Sequence, residues 1–201
     1  MRIALCVEYN GSNYFGWQKQ KIHKEKTIQY HVDKAISKVA DEKINTICAG
    51  RTDTGVHALG QIIHFDTTKK RLDYKWLNGI NSNLPDDIFI KSIKHVDEEF
   101  HSRYSAIDRT YCYIILNQNN PSTHLLENVL HFNQEINLTK IRSSFKYLKG
   151  TKDFSAFRSS GCSSKNPIKK IKNITIKKNN NFIIIEITAD SFLYHMVRNI
   201  V

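Results

Sequence analysis

The sequence contains no run approaching the roughly 18 to 20 consecutive apolar residues of a membrane span. Glu8 and Asn10 interrupt the N-terminus where a signal sequence would continue its apolar region. A cytoplasmic setting with no membrane partner is therefore expected. The four cysteines, Cys6, Cys48, Cys112 and Cys162, form no CxxC pair, which argues against a zinc ribbon or redox motif and for reduced, mostly buried thiols. GxxxxGK followed by Ser or Thr is absent, so no phosphate-binding P-loop is expected. HExxH and carboxylate clusters are absent as well, so neither is a metal. His57 and His64 are read as hydrogen-bonded structural residues. No low-complexity linker interrupts the chain, so its parts are expected to pack together and leave a cleft.

What is present describes a globular chain of 201 residues, 40% hydrophobic and 24% charged. Lys and Arg outnumber Asp and Glu by 30 to 19, for a net charge of +11. Residues 106–201 hold 14 basic and 6 acidic residues, hence +8 of the +11. So uneven a distribution favours a polyanionic partner over a surface charged only for solubility.

Residues 2–8 read as a strand with Ile3, Leu5 and Val7 on one face. Ile28, Val32, Ala35, Ile36 and Val39 mark one face of a helix, with Thr27 as N-cap. Strands are expected over 44–48, 61–66 and 88–96, and a short helix over 74–80. A further strand at 110–116 opens the second half. It is followed by a helix over 138–149, with Asn137 as N-cap, Leu138, Ile141, Phe145 and Leu148 on its apolar face and Gly150 just beyond. A hairpin of 169–177 and 182–189 turns over 178–181, and the unbroken apolar run at 182–185 predicts a strand covered on both faces. The pattern is α+β, with an extended antiparallel sheet and a division into 1–105 and 106–201.

Four segments carry candidate chemistry. In AGRTDTGVHALGQIIHF, over 49–65, Gly50 and Gly55 bracket Arg51 and Asp53. This is either a tight connection with an Asx-turn or a loop built for close ligand approach, with Arg51 reaching phosphate or base. HSRYSAIDRTYCYIILN interleaves Arg103 and Arg109 with Tyr104, Tyr111 and Tyr113, a mixture suited to phosphate pairing and base stacking. Of Tyr111 and Tyr113, one can be core and the other functional. DFSAFRSSGCSSKNPIKKI joins Arg158 to Lys165, Lys169, Lys170 and Lys172, as an RNA-backbone contact or as a solvated loop. In DSFLYHMVRN, Arg198 opens a helix and faces either a carboxylate or phosphate or plain solvent.

Together GRTDTGVHALGQIIHF, FHSRYSAIDRTYCYI, LKGTKDFSAFRSSGC and FLYHMVRNIV, with the opening VEYNGSNYFGWQKQ, resemble the motifs of the tRNA pseudouridine synthase A family. The resemblance implies two ferredoxin-like, RRM-like halves around a basic cleft. It makes Asp53 the catalytic aspartate, Tyr111 the ring packed on the target base, Arg198 the partner of the aspartate and Arg51 the replacement for a flipped nucleotide. Apart from the resemblance, the basic segments described above make Arg103, Arg109, Arg158 and Lys169 candidate RNA contacts. The implied substrate is uridine at positions 38, 39 and 40 of the tRNA anticodon stem-loop, handled by a homodimer without cofactor. The family's chains continue beyond MVRNIV, so a C-terminally truncated chain is expected as well. Two other readings remain open: a non-catalytic RNA-binding module of the same fold, and a protein-interaction domain whose charge is incidental.

Overall fold

The computed structural model describes residues 1–162 and 164–201, arranged as two compact units, Met1–Ala106 and Ile107–Val201. Among the described residues no helix is long and apolar enough to cross a membrane.

In the first unit β1 (Arg2–Tyr9) lies between β3 (Ala58–Asp66) and β4 (Ile88–Val96), with β2 (Ile47–Cys48) on the outer side of β3; all pairs are antiparallel. The alternation in β1 sends Ile3, Leu5 and Val7 inward, each at most 1% exposed. Helix α1 (Ile28–Ala40) lays Ile28, Val32 and Ile36 on that face, and α2 (Asp73–Asn81) adds Trp76 and Ile80. Thr27 stands at the N-cap, but its hydroxyl donates to the Lys24 carbonyl at 2.7 Å and makes no cap bond to the helix. A 3-10 turn over Lys24–Lys26 precedes it and leaves that carbonyl to be satisfied.

The strand expected over 44–48 is shorter, because its first residues are tied to α1 instead of β3. Ile44 N–H donates to Ser37 Oγ at 2.9 Å, and Thr46 donates both its N–H and its hydroxyl to Asp33 Oδ1, at 3.0 and 2.6 Å. Lys19 pairs with the same buried carboxylate. Burial, the dominant influence, raises the Asp33 pKa, and these partners oppose it.

The second unit has a five-stranded sheet in the order β6 (Leu130–Phe132), β5 (Arg109–Asn117), β9 (Phe182–Ala189), β8 (Ile168–Asn179), β7 (Gly150–Asp153). Helix α3 (Leu138–Leu148) packs its predicted apolar face on this sheet, with the Asn137 side chain accepting from Lys140 N–H at 3.0 Å. The short α4 (Met196–Ile200) contains Arg198 in its interior, not at its start.

Among the described residues the strands thus form two sheets, not the one extended sheet expected, and the β5–β6 pair is parallel. The second sheet ends in strands of three and four residues, which offer little ladder for further pairing. Residues 182–185 are not covered on both faces either. Ile183, Ile185, Ile187 and Ala189 are buried, while Phe182, Ile184, Glu186 and Thr188 are half-exposed, the pattern of a sheet with one packed face. The hairpin turn is Asn180–Asn181 alone, with Asn180 at φ 51°, a conformation Asn tolerates well. Of the four free thiols only Cys48 is buried; Cys6 and Cys162 are half-buried and Cys112 is exposed, because Cys112 points away from the packed face of β5.

Candidate active site

The loop joining β2 to β3 leaves the ladder after Ala49, whose N–H donates to the Ile62 carbonyl at 2.8 Å. Gln61, buried in β3, clamps Gly50 at both backbone groups: Oε1 accepts its N–H at 3.3 Å and Nε2 donates to its carbonyl. Arg51 then projects into solvent, and Asp53 is half-buried two residues on. Val56 N–H donates to the Asp53 carbonyl at 3.1 Å, closing a turn whose third residue, Gly55, has φ 74°, as a type II turn requires. A backbone bond therefore shapes the turn.

The rest of the loop's support comes from residues 9–17, a segment the sequence did not mark as part of the site. Trp17 N–H donates to the Thr52 carbonyl at 3.0 Å, and Gly55 N–H to the Tyr14 carbonyl at 3.2 Å. Gly11 N–H donates to His57 Nδ1 at 3.2 Å, the structural role expected of that histidine. The Tyr9 and Thr52 hydroxyls lie 2.7 Å apart. A Cβ on Gly11 would stand 2.1 Å from the Val56 carbonyl oxygen, and one on Gly16 would stand 2.4 Å from that of Thr52. The contact is backbone on backbone. Glycines at those places in YNGSNYFGW were the available signal, but only the folded chain shows what they face.

Arg103 belongs to the same unit and is exposed on a turn at 101–105. His101 Nδ1 accepts the N–H groups of Arg103 and Tyr104 at 3.2 and 3.3 Å. Next to it Ser102 anchors the turn to the sheet, its hydroxyl 2.7 Å from the Ile47 carbonyl and 2.9 Å from Nδ1 of the buried His64. The Arg103 guanidinium lies 5.8 Å from the Tyr104 ring centroid.

In the second unit Arg109 and Tyr111 lie two apart on β5 and so share a face. Tyr111 meets Phe192 edge to face, with ring centroids 4.9 Å apart, and Arg109 Nη1 donates to the Asp190 carbonyl at 2.7 Å. Both contacts run to the segment between β9 and α4. Asn199 of α4 donates to the Phe157 carbonyl at 2.9 Å, and Ser159 N–H to the Tyr194 carbonyl at 3.2 Å. Those bonds bring the exposed Arg158 and Arg198 onto neighbouring segments. Lys169 is different: it is 8% exposed, and its ammonium donates to the Asn166 carbonyl at 2.8 Å and to Ser164 Oγ at 3.3 Å. Ser163, in the same stretch, lies outside the described residues. Desolvation raises the pKa of the Cys162 thiol, but the N–H groups of Tyr194 and Ser164, followed by the Arg158 charge, outweigh it and bring the thiol below its ordinary range. Among the described residues no group of three or more His, Cys, Asp or Glu side chains is placed to hold a metal ion.

A family model described as tRNA pseudouridine synthase matches residues 5–105 and 145–201, which contain Arg51, Asp53, Arg103, Arg158, Lys169 and Arg198. The chain is 50% identical over 200 residues to the tRNA pseudouridine synthase A of Buchnera aphidicola subsp. Schizaphis graminum, covering 100% of this chain and 75% of that protein. Proteins of the same name from a Shewanella species and from Colwellia psychrerythraea are each 44% identical over 201 residues, covering 76% and 77% of their lengths. With the family model matching most of the chain and these relatives aligning over all of it, the chain belongs to the tRNA pseudouridine synthase family.

Proposed function

We propose that this protein isomerises uridine to pseudouridine at positions 38, 39 and 40 of the tRNA anticodon stem-loop, with Asp53 as the catalytic carboxylate. The observation that carries this reading is the GRTDTGVHA loop. It is the most specific stretch of the resemblance, and it is held outside the sheet with Asp53 half-buried and Arg51 exposed beside it. The reaction breaks the C1′–N1 bond, turns the uracil while it stays bound, and joins C5 to C1′. The proton on C5 leaves and N1 gains one, so atoms balance without a co-reactant. An ionised carboxylate suits attack on the sugar or base, or removal of a proton at C2′.

Each remaining residue has a part in this reading. Arg198 is the basic partner that orients Asp53 for the reaction. A uridine in a stem must leave the stack, at a cost of a few kcal/mol. Stacking on Tyr111, worth about 1–3 kcal/mol, offsets much of it, and Arg51 takes the vacated place. Arg103, Arg109 and Arg158 meet the RNA, and Lys169 contributes through the loop it holds. The acting form is a cytoplasmic homodimer of α+β protomers, each with two ferredoxin-like halves, and each RNA touches both subunits.

Carbodiimide mapping of pseudouridine in tRNA tests the reaction, and filter binding tests the contacts. Asp53→Asn and Arg198→Ala should abolish modification while Asp53→Asn leaves tRNA affinity nearly unchanged. Parallel loss of binding and activity in Asp53→Asn would make Asp53 a structural turn residue. The logarithm of the binding constant should fall with the logarithm of salt by about 0.7 to 0.9 per phosphate contact.

A further inference from the structure

We propose that Tyr9 is a positioning residue for the reaction, acting through its hydroxyl on Thr52 to fix the backbone that carries Asp53. The inference rests on the reading of Asp53 given above. Tyr9 ends β1 just past a register shift between Val7 and Tyr9, and it is paired with Ala58 on one side and Ile88 on the other. It is 2% exposed, and its ring lies 5.8 Å from that of the fully buried Trp17. The ring is therefore fixed by the sheet and the core.

A phenol in that place takes a polar atom largely out of water, which is unfavourable unless a partner meets it. Thr52 Oγ1 meets it, at 2.7 Å. Thr52 is thus held at two points, by its carbonyl from Trp17 N–H at 3.0 Å and by its side chain from Tyr9. Two bonds on one residue fix its rotation as well as its place. The next Cα, about 3.8 Å away across a trans peptide, is that of Asp53. Downstream, Val56 N–H on the Asp53 carbonyl and Gly55 N–H on the Tyr14 carbonyl complete the hold. The Tyr9 bond is the member of this set that a substitution can remove without touching the main chain.

The test is single-turnover and steady-state kinetics on tRNA with Tyr9→Phe, Thr52→Val, the double variant and Thr52→Ser. Tyr9→Phe keeps the ring and its packing. It should lower kcat by about 10- to 100-fold, the scale on which a shift of the order of an ångström acts. KM and tRNA affinity should stay at parental values. Thr52→Val should match it, the double variant should be no worse than the worse single one, and Thr52→Ser should restore the parental kcat. A merely structural bond would lower the melting temperature with kcat per folded molecule unchanged, or would give additive losses in the double variant; either result overturns the proposal. Asp53→Asn in the same assay separates the two claims. Activity in that variant refutes the role of Asp53. An inert Asp53→Asn beside a parental Tyr9→Phe refutes only the positioning role.

Discussion

Replacing Gly16 with alanine should damage catalysis more than stability. At φ 81° the new side chain incurs about 1–2 kcal/mol of backbone strain. That alone would be tolerable. The added Cβ, however, stands 2.4 Å from the Thr52 carbonyl oxygen, 3.0 Å from the Asp53 carbonyl carbon and 3.3 Å from its Cα. Retreat of the oxygen to 3.0 Å, still a tight contact, requires a shift of 0.6 Å, from 2.4 to 3.0. The moving atoms belong to the peptide that carries Asp53, and the Trp17 bond to the same oxygen, now 3.0 Å, is strained with it. Since about 1 Å of misplacement can lower a rate 100-fold, kcat should fall roughly 10- to 100-fold. Gly150→Ala is the comparison: it also has a positive φ, but no atom lies within 4 Å of its new Cβ. It should show the strain in urea denaturation and keep the parental kcat. Equal kcat in the two variants, at equal folded fraction, would refute the argument.

Two further outcomes are expected. Gln61→Leu orphans both backbone groups of Gly50, at about 1–3 kcal/mol, so the urea midpoint should fall and amide exchange at 50–52 should quicken; unchanged exchange would contradict the clamp. Burial, seconded by the charges of Arg2 and His101 and opposed by Asp66, keeps the His64 pKa below its ordinary value, and its Nδ1 already accepts Ser102 N–H at 3.2 Å. Folding therefore resists protonation there: stability is full above about pH 6.5, and falls as pH drops through the window down to the folded value. His64→Gln should flatten the change in urea midpoint between about pH 7.5 and 5, and an unaltered slope would remove His64 as its source.

Periodicity made α1, β1 and β4 legible, since a face of Ile28, Val32 and Ile36 or of Ile3, Leu5 and Val7 is decided by local spacing. β6 and β7 were not legible: Gly150–Asp153 has no apolar side chain and becomes a strand only because β8 offers an edge. The shortening at 44–46 has the same origin, a buried Asp33 in α1 that captures Thr46 before β3 can. Around the site, Asp53 and Arg51 stood out as a motif, but the cradle did not. Tyr9 reads as the end of a strand, and nothing local tells that its hydroxyl meets Thr52. Lys169 illustrates the converse, a charge counted as a contact that folding turns inward onto Asn166 and Ser164.

The most direct test of the central claim is tritium release from tRNA carrying 5-³H-uridine, measured with the parent chain and with Asp53→Asn. The account predicts release by the parent and none by Asp53→Asn, with tRNA bound by both. Release by Asp53→Asn at the parental rate, or a parent that binds tRNA and releases nothing, would contradict it.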